Sequence, residues 1–254
     1  MTWRRIQAGG LTEGETKPAV DRGTFLEPLP EIIRHRKVDR MKIAVFGASG
    51  GIGSLLVKRA LAEGDTVYAY VRNPDKLQLR HDKLHIISGQ LSDEAAMTTA
   101  IQDADVVISA LGPDMKGKAN DTATPVADGH ELMVRIMRKL GKKRLVTLAT
   151  PTLRAAEDKS SLLFWLMRKV APMTMSHAVR DLLKIGDVVT ASKLDWTIVR
   201  IINPNVKTNG QGYGLAVGQE KYGISVSRQN VANSLYDIAK ANSYIHKMPI
   251  VFNR

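Results

Sequence analysis

Residues 41–72, MKIAVFGASGGIGSLLVKRALAEGDTVYAYVR, decide the fold of this chain. An apolar, β-branched run at 43–46 leads into the glycine-rich turn 47–53, and apolar residues at helical spacing follow the turn. A break at 64–65 precedes a second apolar run, which ends at Arg72. Strand, glycine turn, helix and strand within about thirty residues predict one βαβ unit.

The glycines of the turn have the spacing G-x-x-G-x-x-G, and each predicts a different feature. Gly47 takes the backbone angles of a tight bend. Gly50 lets a diphosphate approach the main chain, and Gly53 lets the helix pack closely on the strand. Free N–H groups of the first helical turn would face the phosphates. We therefore predict a dinucleotide site, rather than a glycine turn without ligand, formed by Gly47, Ser49, Gly50, Gly51, Ile52 and Gly53.

The segment resembles the extended and atypical short-chain dehydrogenase/reductases, in particular their NAD(P)H-binding group with flavin reductase/biliverdin reductase B-like and NmrA-like proteins. Residues 192–200, SKLDWTIVR, are similar to the family's S-G-L-D-W-T-I-V-R-P segment, and residues 224–239 resemble its I-S-R-x-D-V-A helix, with Asn230 in place of the usual Asp. The resemblance runs from residue 41 to the C-terminus. It implies a single Rossmann-like α/β domain, doubly wound, with a mostly parallel sheet and helices on both faces.

The composition excludes several other classes of protein and of binding partner. The chain has 254 residues, a net charge of +12 and no cysteine, so a disulfide framework, a thiolate metal site and a cysteine nucleophile are excluded, and we predict no metal. Lys and Arg are spread along the chain, which favours a basic surface that attracts a polyanionic cofactor over nucleic-acid binding. No apolar run approaches the length of a membrane span, so we expect no membrane partner. The absence of cysteine suits a reducing compartment, and we expect a cytoplasmic protein.

Residues 1–40 contain scattered Gly, Pro and charges without a sustained period. They predict a flexible N-terminal extension or an upstream start codon chosen in error, and the functional alternative is an arm that clasps a partner. Residues 41–254 are the predicted NAD(P)-binding domain.

The residue that ends the second strand predicts the cofactor. An acidic residue there would bind the ribose 2′-OH of NAD, but the chain has Arg72, whose guanidinium matches the 2′-phosphate of NADP. We predict NADP(H) rather than NAD(H); the alternative is an exposed arginine in a turn. The resemblance implies that Gln90, in place of the family's Asp, meets the adenine edge beside Leu91. It also implies that Ala110, Leu111 and Gly112 lie along the ribose and nicotinamide half.

The residues that would bind and protonate the acceptor match the family's pattern less completely than the cofactor residues do. Thr150 follows the core strand 144–148, where the resemblance implies a hydroxyl donor to a substrate carbonyl; the alternative is a capping threonine. The family's Tyr-x-x-x-Lys pair is absent from residues 155–195. His177 is the candidate acid in its place, with Lys184 two turns further on, and the alternative is a structural histidine.

Three further segments carry local predictions. Ser92 is the expected N-cap of a short helix. Residues 160–175 predict an adaptable apolar wall, a core stripe or a dimer face. Residues 205–223 are rich in glycine and predict a mobile substrate loop.

These features together favour an oxidoreductase. We expect hydride transfer from NADPH to a small conjugated, quinone- or flavin-like acceptor without a Tyr-Lys pair, by a monomer or homodimer. The alternative is a non-catalytic, NmrA-like NADP(H) sensor that contacts a protein partner. An isomerase or epimerase is a weaker third candidate, because those relatives also use the tyrosine.

Overall fold

The glycine turn joins β1 (Lys42–Phe46) to α1 (Gly53–Ala62), and β2 (Thr66–Val71) follows. β2 pairs parallel to β1, which confirms the predicted βαβ unit. The computed structural model describes residues 40–112, 123–158, 176–205, 212–218 and 222–254. The predictions for residues 1–39 and 160–175 therefore lie outside the described residues.

The other elements alternate between strands and helices. The strands are β3 (Leu84–Ser88), β4 (Val106–Ser109), β5 (Arg144–Ala149), β6 (Asp195–Ile201), β7 (Pro204–Asn205), β8 (Tyr213–Ala216), β9 (Val226–Ser227) and β10 (Ile250–Asn253). The helices are α2 (Glu94–Ile101), α3 (Pro125–Lys139), α4 (Ser176–Thr190) and α5 (Arg228–Lys240), with a 3₁₀ turn at Pro74–Lys76. The main sheet has the order β3-β2-β1-β4-β5-β6-β10-β8. Only β8 runs antiparallel to its neighbour among the described strands of this sheet.

Helices cover both faces of the sheet, because β1 is apolar on both sides. Ile43 and Val45 belong to one buried cluster with residues of α1 and α5. Ala44 and Phe46 belong to a second cluster with residues of α2, α3 and α4. The predicted doubly wound, mostly parallel Rossmann-like fold is confirmed.

The strand order reverses beside β1. The chain moves outward through β2 and β3, then returns to add β4, β5 and β6 on the other side of β1. The connections after β1 and β4 leave in opposite directions, so a crevice opens at the carboxyl ends of these two strands. In open α/β sheets such a reversal is where ligands bind.

At the opposite edge of the sheet, polar groups are paired. The buried carboxylate of Asp65 accepts hydrogen bonds from the Met41 N–H (2.8 Å) and the Tyr236 hydroxyl (2.7 Å). Asp105 accepts from the Lys42 N–H (2.8 Å). The Arg144 guanidinium donates to several main-chain carbonyls, which ties β5 to β6 and to the end of α5.

Two local predictions are corrected. The N-cap of α2 is Asp93, whose carboxylate accepts from the Ala96 N–H, and not Ser92. The glycine-rich segment 205–223 is not a loop throughout, because residues 213–216 form β8, which pairs with β10. Within the described ranges, no helix is both long and apolar enough to cross a bilayer.

Candidate functional site

The turn after β1 is shaped by three close backbone contacts. Gly47 has φ of +75°, which an L side chain rarely adopts, and its carbonyl accepts a hydrogen bond from the Gly50 N–H (2.9 Å). A Cβ atom on Gly53 would lie 2.1 Å from the Gly47 carbonyl oxygen. Glycine is therefore required at 53 by packing. At Gly50 the constraint is weaker, since a Cβ would lie 3.2 Å from the same oxygen.

The turn leaves main-chain donors available. Helix α1 begins without a side-chain cap at Ile52. Nothing in the part of the chain that the structure describes accepts a hydrogen bond from the N–H groups of Gly51, Ile52 or Gly53. Free amides at the start of a helix, with the dipole of that helix behind them, form an anion-binding surface. The predicted diphosphate residues thus come together in a geometry that suits a diphosphate.

The end of β4 lies against this turn. The Ala110 N–H donates to the Phe46 carbonyl (2.9 Å), and a Cβ on Gly47 would lie 3.0 Å from the Ala110 carbonyl carbon and 3.2 Å from the Leu111 nitrogen. The structure therefore brings the predicted residues after β1 and β4 together. A Cβ on Gly112 would meet no described atom within 4 Å, so the space beside it is open.

Arg72 and Gln90 follow the next two strand ends, at β2 and β3. Both side chains are exposed, and Arg72 has no ion pair among the described residues. The Tyr70 hydroxyl donates to the Gln90 carbonyl (2.7 Å), and a Cβ on Gly89 would lie 2.3 Å from the Tyr70 oxygen. Burial, with a smaller contribution from Asp93, raises the pKa of Tyr70 to about 12, so the tyrosine stays a donor. The sequence did not indicate that the Tyr70 hydroxyl would hold the main chain at Gln90.

These strand ends form a row across the sheet. Gln90, Arg72, Gly47, Ala110 and Thr150 follow β3, β2, β1, β4 and β5, which are neighbours in that order. Neighbouring strands lie about 4.8 Å apart, so the row extends over four spacings, about 19 Å. The length of this row matches that of an extended dinucleotide, whose adenosine half would lie over β2 and β3 and whose other half would lie over β4 and β5.

At the β5 end of this row, two hydroxyl groups are paired. The Thr150 and Thr152 Oγ1 atoms are 2.7 Å apart, and the Thr150 carbonyl accepts from the Leu153 N–H (3.0 Å) in a tight turn. Thr152 is buried, whereas Thr150 is partly exposed. Thr150 is thus a hydroxyl at the sheet edge whose orientation a second hydroxyl fixes.

A buried ion pair holds the segment that follows Thr150. The Arg200 guanidinium binds both carboxylate oxygens of Asp158 (2.8 Å from Nη2) and also donates to the carbonyls of Leu153 and Met248. Burial opposes the charged form of Asp158, but hydrogen bonds from Arg200 and from the Ala155 N–H outweigh it and lower the pKa of this carboxyl. The pair holds residues 153–158 against β6.

Helix α4 carries the predicted acid His177, but two other polar residues of this helix bind residues of α3. His177 is partly buried in its first turn, and Asp181, one turn later, accepts from the N–H groups of Val126 (3.3 Å) and Ala127 (2.7 Å) at the start of α3. Lys184 is 2.6 Å from the Asp128 carboxylate. Asp181 and Lys184 therefore connect α4 to α3, and neither is an evident partner in a proton transfer.

Two of the described tyrosines, Tyr213 and Tyr236, bind carboxylates that belong to the fold. Tyr213 donates to Asp237 (2.7 Å), and Tyr236 donates to Asp65 (2.7 Å) at the opposite edge of the sheet. Burial and these carboxylates raise the pKa of both hydroxyls. Their roles are structural.

Sequence reasoning also missed Arg228, the first residue of α5. Its Nη1 atom lies 2.9 Å from the position that a Cβ on Gly51 would occupy. Two signals were available: Arg228 is the arginine of the segment that resembles I-S-R-x-D-V-A, and a cation in the first turn of a helix is unfavourable for the helix dipole.

The family is established by comparison. Residues 47–242 match the model of the NAD(P)H-binding family, and the chain belongs to that family. The resemblance to the NAD(P)H-binding group of atypical short-chain dehydrogenase/reductases is thereby confirmed, and the family is one of NAD(P)H-binding oxidoreductases.

The individual proteins that the chain resembles have low sequence identity to it. The chain is 30% identical over 131 residues to tetraketide alpha-pyrone reductase 1 of Arabidopsis thaliana, a match that covers 46% of this chain and only 40% of that reductase. Two solved structures share the fold. One is an anaerobillin reductase, ChuY, from Escherichia coli O157:H7 (21% identity, TM-score 0.67, 84% of this chain and 97% of that chain). The other is a short-chain dehydrogenase/reductase from Veillonella parvula in complex with NADP (18% identity, TM-score 0.64, 84% and 94%).

Proposed function

We propose that this protein is an NADPH-dependent reductase that transfers hydride to a small conjugated, quinone- or flavin-like acceptor. The observation that carries the proposal is the row of polar groups along one sheet edge. Free N–H groups follow β1, the exposed cation Arg72 follows β2, and the hydroxyl of Thr150 follows β5. In a bound NADPH, the diphosphate would meet the free N–H groups, the 2′-phosphate would meet Arg72 and the nicotinamide would lie near Thr150.

The residues present fit the cofactor. The backbone contacts of Gly47 and Gly53 leave the amides of the turn uncovered, as a diphosphate requires. Arg72 is exposed and without an ion pair in the described part of the chain, so its guanidinium is available to a 2′-phosphate. The NADP complex of the Veillonella parvula relative supports this choice of cofactor.

On the acceptor side, Thr150 would orient the substrate. When bound, the reduced nicotinamide supplies a hydride, and the acceptor takes up one proton as it is reduced. The Thr150 hydroxyl, oriented by Thr152, donates a hydrogen bond to a carbonyl oxygen of the acceptor. His177 or solvent delivers the proton, because α4 carries no tyrosine. The reductases among the relatives support a small-molecule acceptor.

A sensor without turnover is the second candidate. One observation favours it: Asp181 and Lys184 of α4 bind residues at the start of α3, so this helix offers no evident catalytic pair. An NmrA-like protein of this kind would bind NADP(H) with the same glycine turn and would pass the signal to a protein partner.

One experiment separates the two candidates. Purified protein is mixed with NADPH and a panel of quinones and flavins, and the absorbance of the reduced nicotinamide is followed. Thr150→Val, which removes the hydroxyl and keeps the volume, should lower kcat about tenfold or more and leave the Kd for NADPH unchanged. Gly50→Val should abolish turnover by obstructing the diphosphate.

The control is Arg80→Gln, which removes one exposed charge on the segment that leads into the amino end of β3. It should leave turnover unchanged. Tight binding of NADPH by wild-type protein, with no oxidation by any acceptor of the panel, would reject the reductase and favour the sensor.

A further inference from the structure

An exposed arginine lies against the glycine turn from a different helix. Arg228 begins α5, and its Nη1, Cδ and Cζ atoms lie 2.9, 3.3 and 3.4 Å from the position that a Cβ on Gly51 would occupy. The guanidinium therefore covers one side of the turn whose N–H groups are free. The absence of a side chain at Gly51 is what makes this approach possible.

Nothing in the described fold uses this charge. Arg228 is exposed, and among the described residues it forms neither an ion pair nor a side-chain hydrogen bond. The first turn of α5 contains no acidic residue, and Ser227 already caps the helix by accepting from the Asn230 N–H (3.1 Å). A cation at this position opposes the helix dipole. An anion bound at the turn would supply the partner that this charge lacks in the described fold.

Helices α1 and α5 hold this arrangement in place. They pack on the same face of the sheet, and Arg59 of α1 donates to Asn233 (3.1 Å) and Asp237 (3.2 Å) of α5. The ring of Tyr236 lies beneath the same guanidinium, 5.0 Å from its central carbon. The start of α5 is thus fixed relative to the glycine turn, so Arg228 reaches the turn from a rigid element.

We propose that Arg228 binds the diphosphate of the dinucleotide, opposite the N–H groups of Gly51, Ile52 and Gly53. The inference rests on the proposed function and adds one residue to that site. The diphosphate is common to both pyridine nucleotides, so Arg228 strengthens the binding of NADPH and NADH by the same factor. Arg72, in contrast, acts on NADPH alone. This difference separates the two arginines by experiment.

The test is titration calorimetry of the full chain with NADPH and with NADH. Arg228→Gln should weaken both nucleotides about 10- to 100-fold, as expected for the loss of a charge-assisted hydrogen bond to phosphate. Arg228→Lys, which keeps the charge, should retain most of the affinity. Arg72→Gln should weaken NADPH and leave NADH within twofold. The effect of Arg228→Gln should shrink as salt is raised, because the guanidinium is exposed.

The matched control is Arg80→Gln, which removes the same charge away from the row of strand ends and should leave both affinities within twofold. Unchanged affinities in Arg228→Gln would overturn the inference, and so would an equal loss in Arg80→Gln, which would indicate a general field effect. An Arg228→Gln loss confined to NADPH would also overturn it. Wild-type protein that binds neither nucleotide would reject the proposed function itself, which distinguishes the two failures.

Discussion

Gly53→Ala tests whether the glycine turn has the shape that the site requires. Helix propensity alone predicts that alanine stabilises α1, by up to about 1 kcal/mol. The structure predicts the opposite sign. The new Cβ would lie 2.1 Å from the Gly47 carbonyl oxygen, 2.8 Å from its carbon and 3.0 Å from the Ala48 Cα. A relaxed carbon–oxygen contact is about 3.3 Å, so backbone must move by about 1 Å. Overpacking of this kind costs about 1–3 kcal/mol.

Because the contact is with backbone atoms, we take the upper end of that range, about 3 kcal/mol, and subtracting the propensity gain of up to about 1 kcal/mol leaves a net loss of about 2–3 kcal/mol in the free energy of unfolding. Urea denaturation followed by far-UV circular dichroism measures it, with an unchanged m-value. For a domain of this size the loss corresponds to a fall in Tm of about 5–10 °C. Gly50→Ala is the matched control, because its Cβ would have one backbone contact, at 3.2 Å. It should change stability by less than about 1 kcal/mol.

A Gly53→Ala protein as stable as wild type, or more stable, would refute this reasoning. It would mean that α1 does not begin in contact with the carbonyl of Gly47. The free N–H groups would then not be held where a diphosphate meets them. The cofactor site would lose its structural basis even if the sheet remained correct.

Three further outcomes follow from the structure. Arg72→Glu should weaken NADPH binding at least tenfold and leave NADH nearly unchanged, as measured by calorimetry; equal losses would contradict the 2′-phosphate assignment. Asp158→Asn should lower the free energy of unfolding by about 3–5 kcal/mol, because it leaves the charge of Arg200 buried without its partner; a change below about 1 kcal/mol in urea denaturation would contradict it. Burial lowers the pKa of His130 despite its hydrogen bond to the Val126 carbonyl, so only the unfolded chain gains a proton there near pH 6.5. Protonation of this histidine should therefore leave the free energy of unfolding unchanged above that pH and lower it below that pH, by up to about 1.4 kcal/mol per pH unit. The variant His130→Gln should flatten this slope.

The sequence was sufficient where the determining contacts are local. The turn 47–53 was recognised because its glycines, the strand before it and the helix after it are adjacent in the chain. The cap of α2 was misplaced by one residue, because Ser92 and Asp93 are both good capping residues and only geometry selects between them. β8 was missed because glycine-rich composition indicates a loop, whereas pairing with β10 supplies the hydrogen bonds of a strand.

Contacts between distant segments were beyond sequence reasoning. Arg200 is the arginine of the family-like segment 192–200, but its partner Asp158 lies more than forty residues earlier, on a segment without a periodic pattern. The approach of Arg228 to Gly51 joins the last helix to the first turn. Neither residue type nor spacing indicates such a pair, because the sheet and its helices bring the two segments together.

The two edges of the sheet differ in how their polar groups are satisfied, and this difference supports the site without any ligand. At the amino edge, Asp65 and Asp105 accept from main-chain N–H groups of residues 41 and 42. At the carboxyl edge, the N–H groups of Gly51, Ile52 and Gly53 have no acceptor among the described residues, and neither Arg72 nor Arg228 has an ion pair there. Unpaired donors at the start of a helix take water or a ligand as their partner. The paired groups at the amino edge stabilise the fold, whereas the unpaired groups at the carboxyl edge are available to a nucleotide, and variants of the exposed Arg72 and Arg228 should lose nucleotide while keeping the Tm of the wild type.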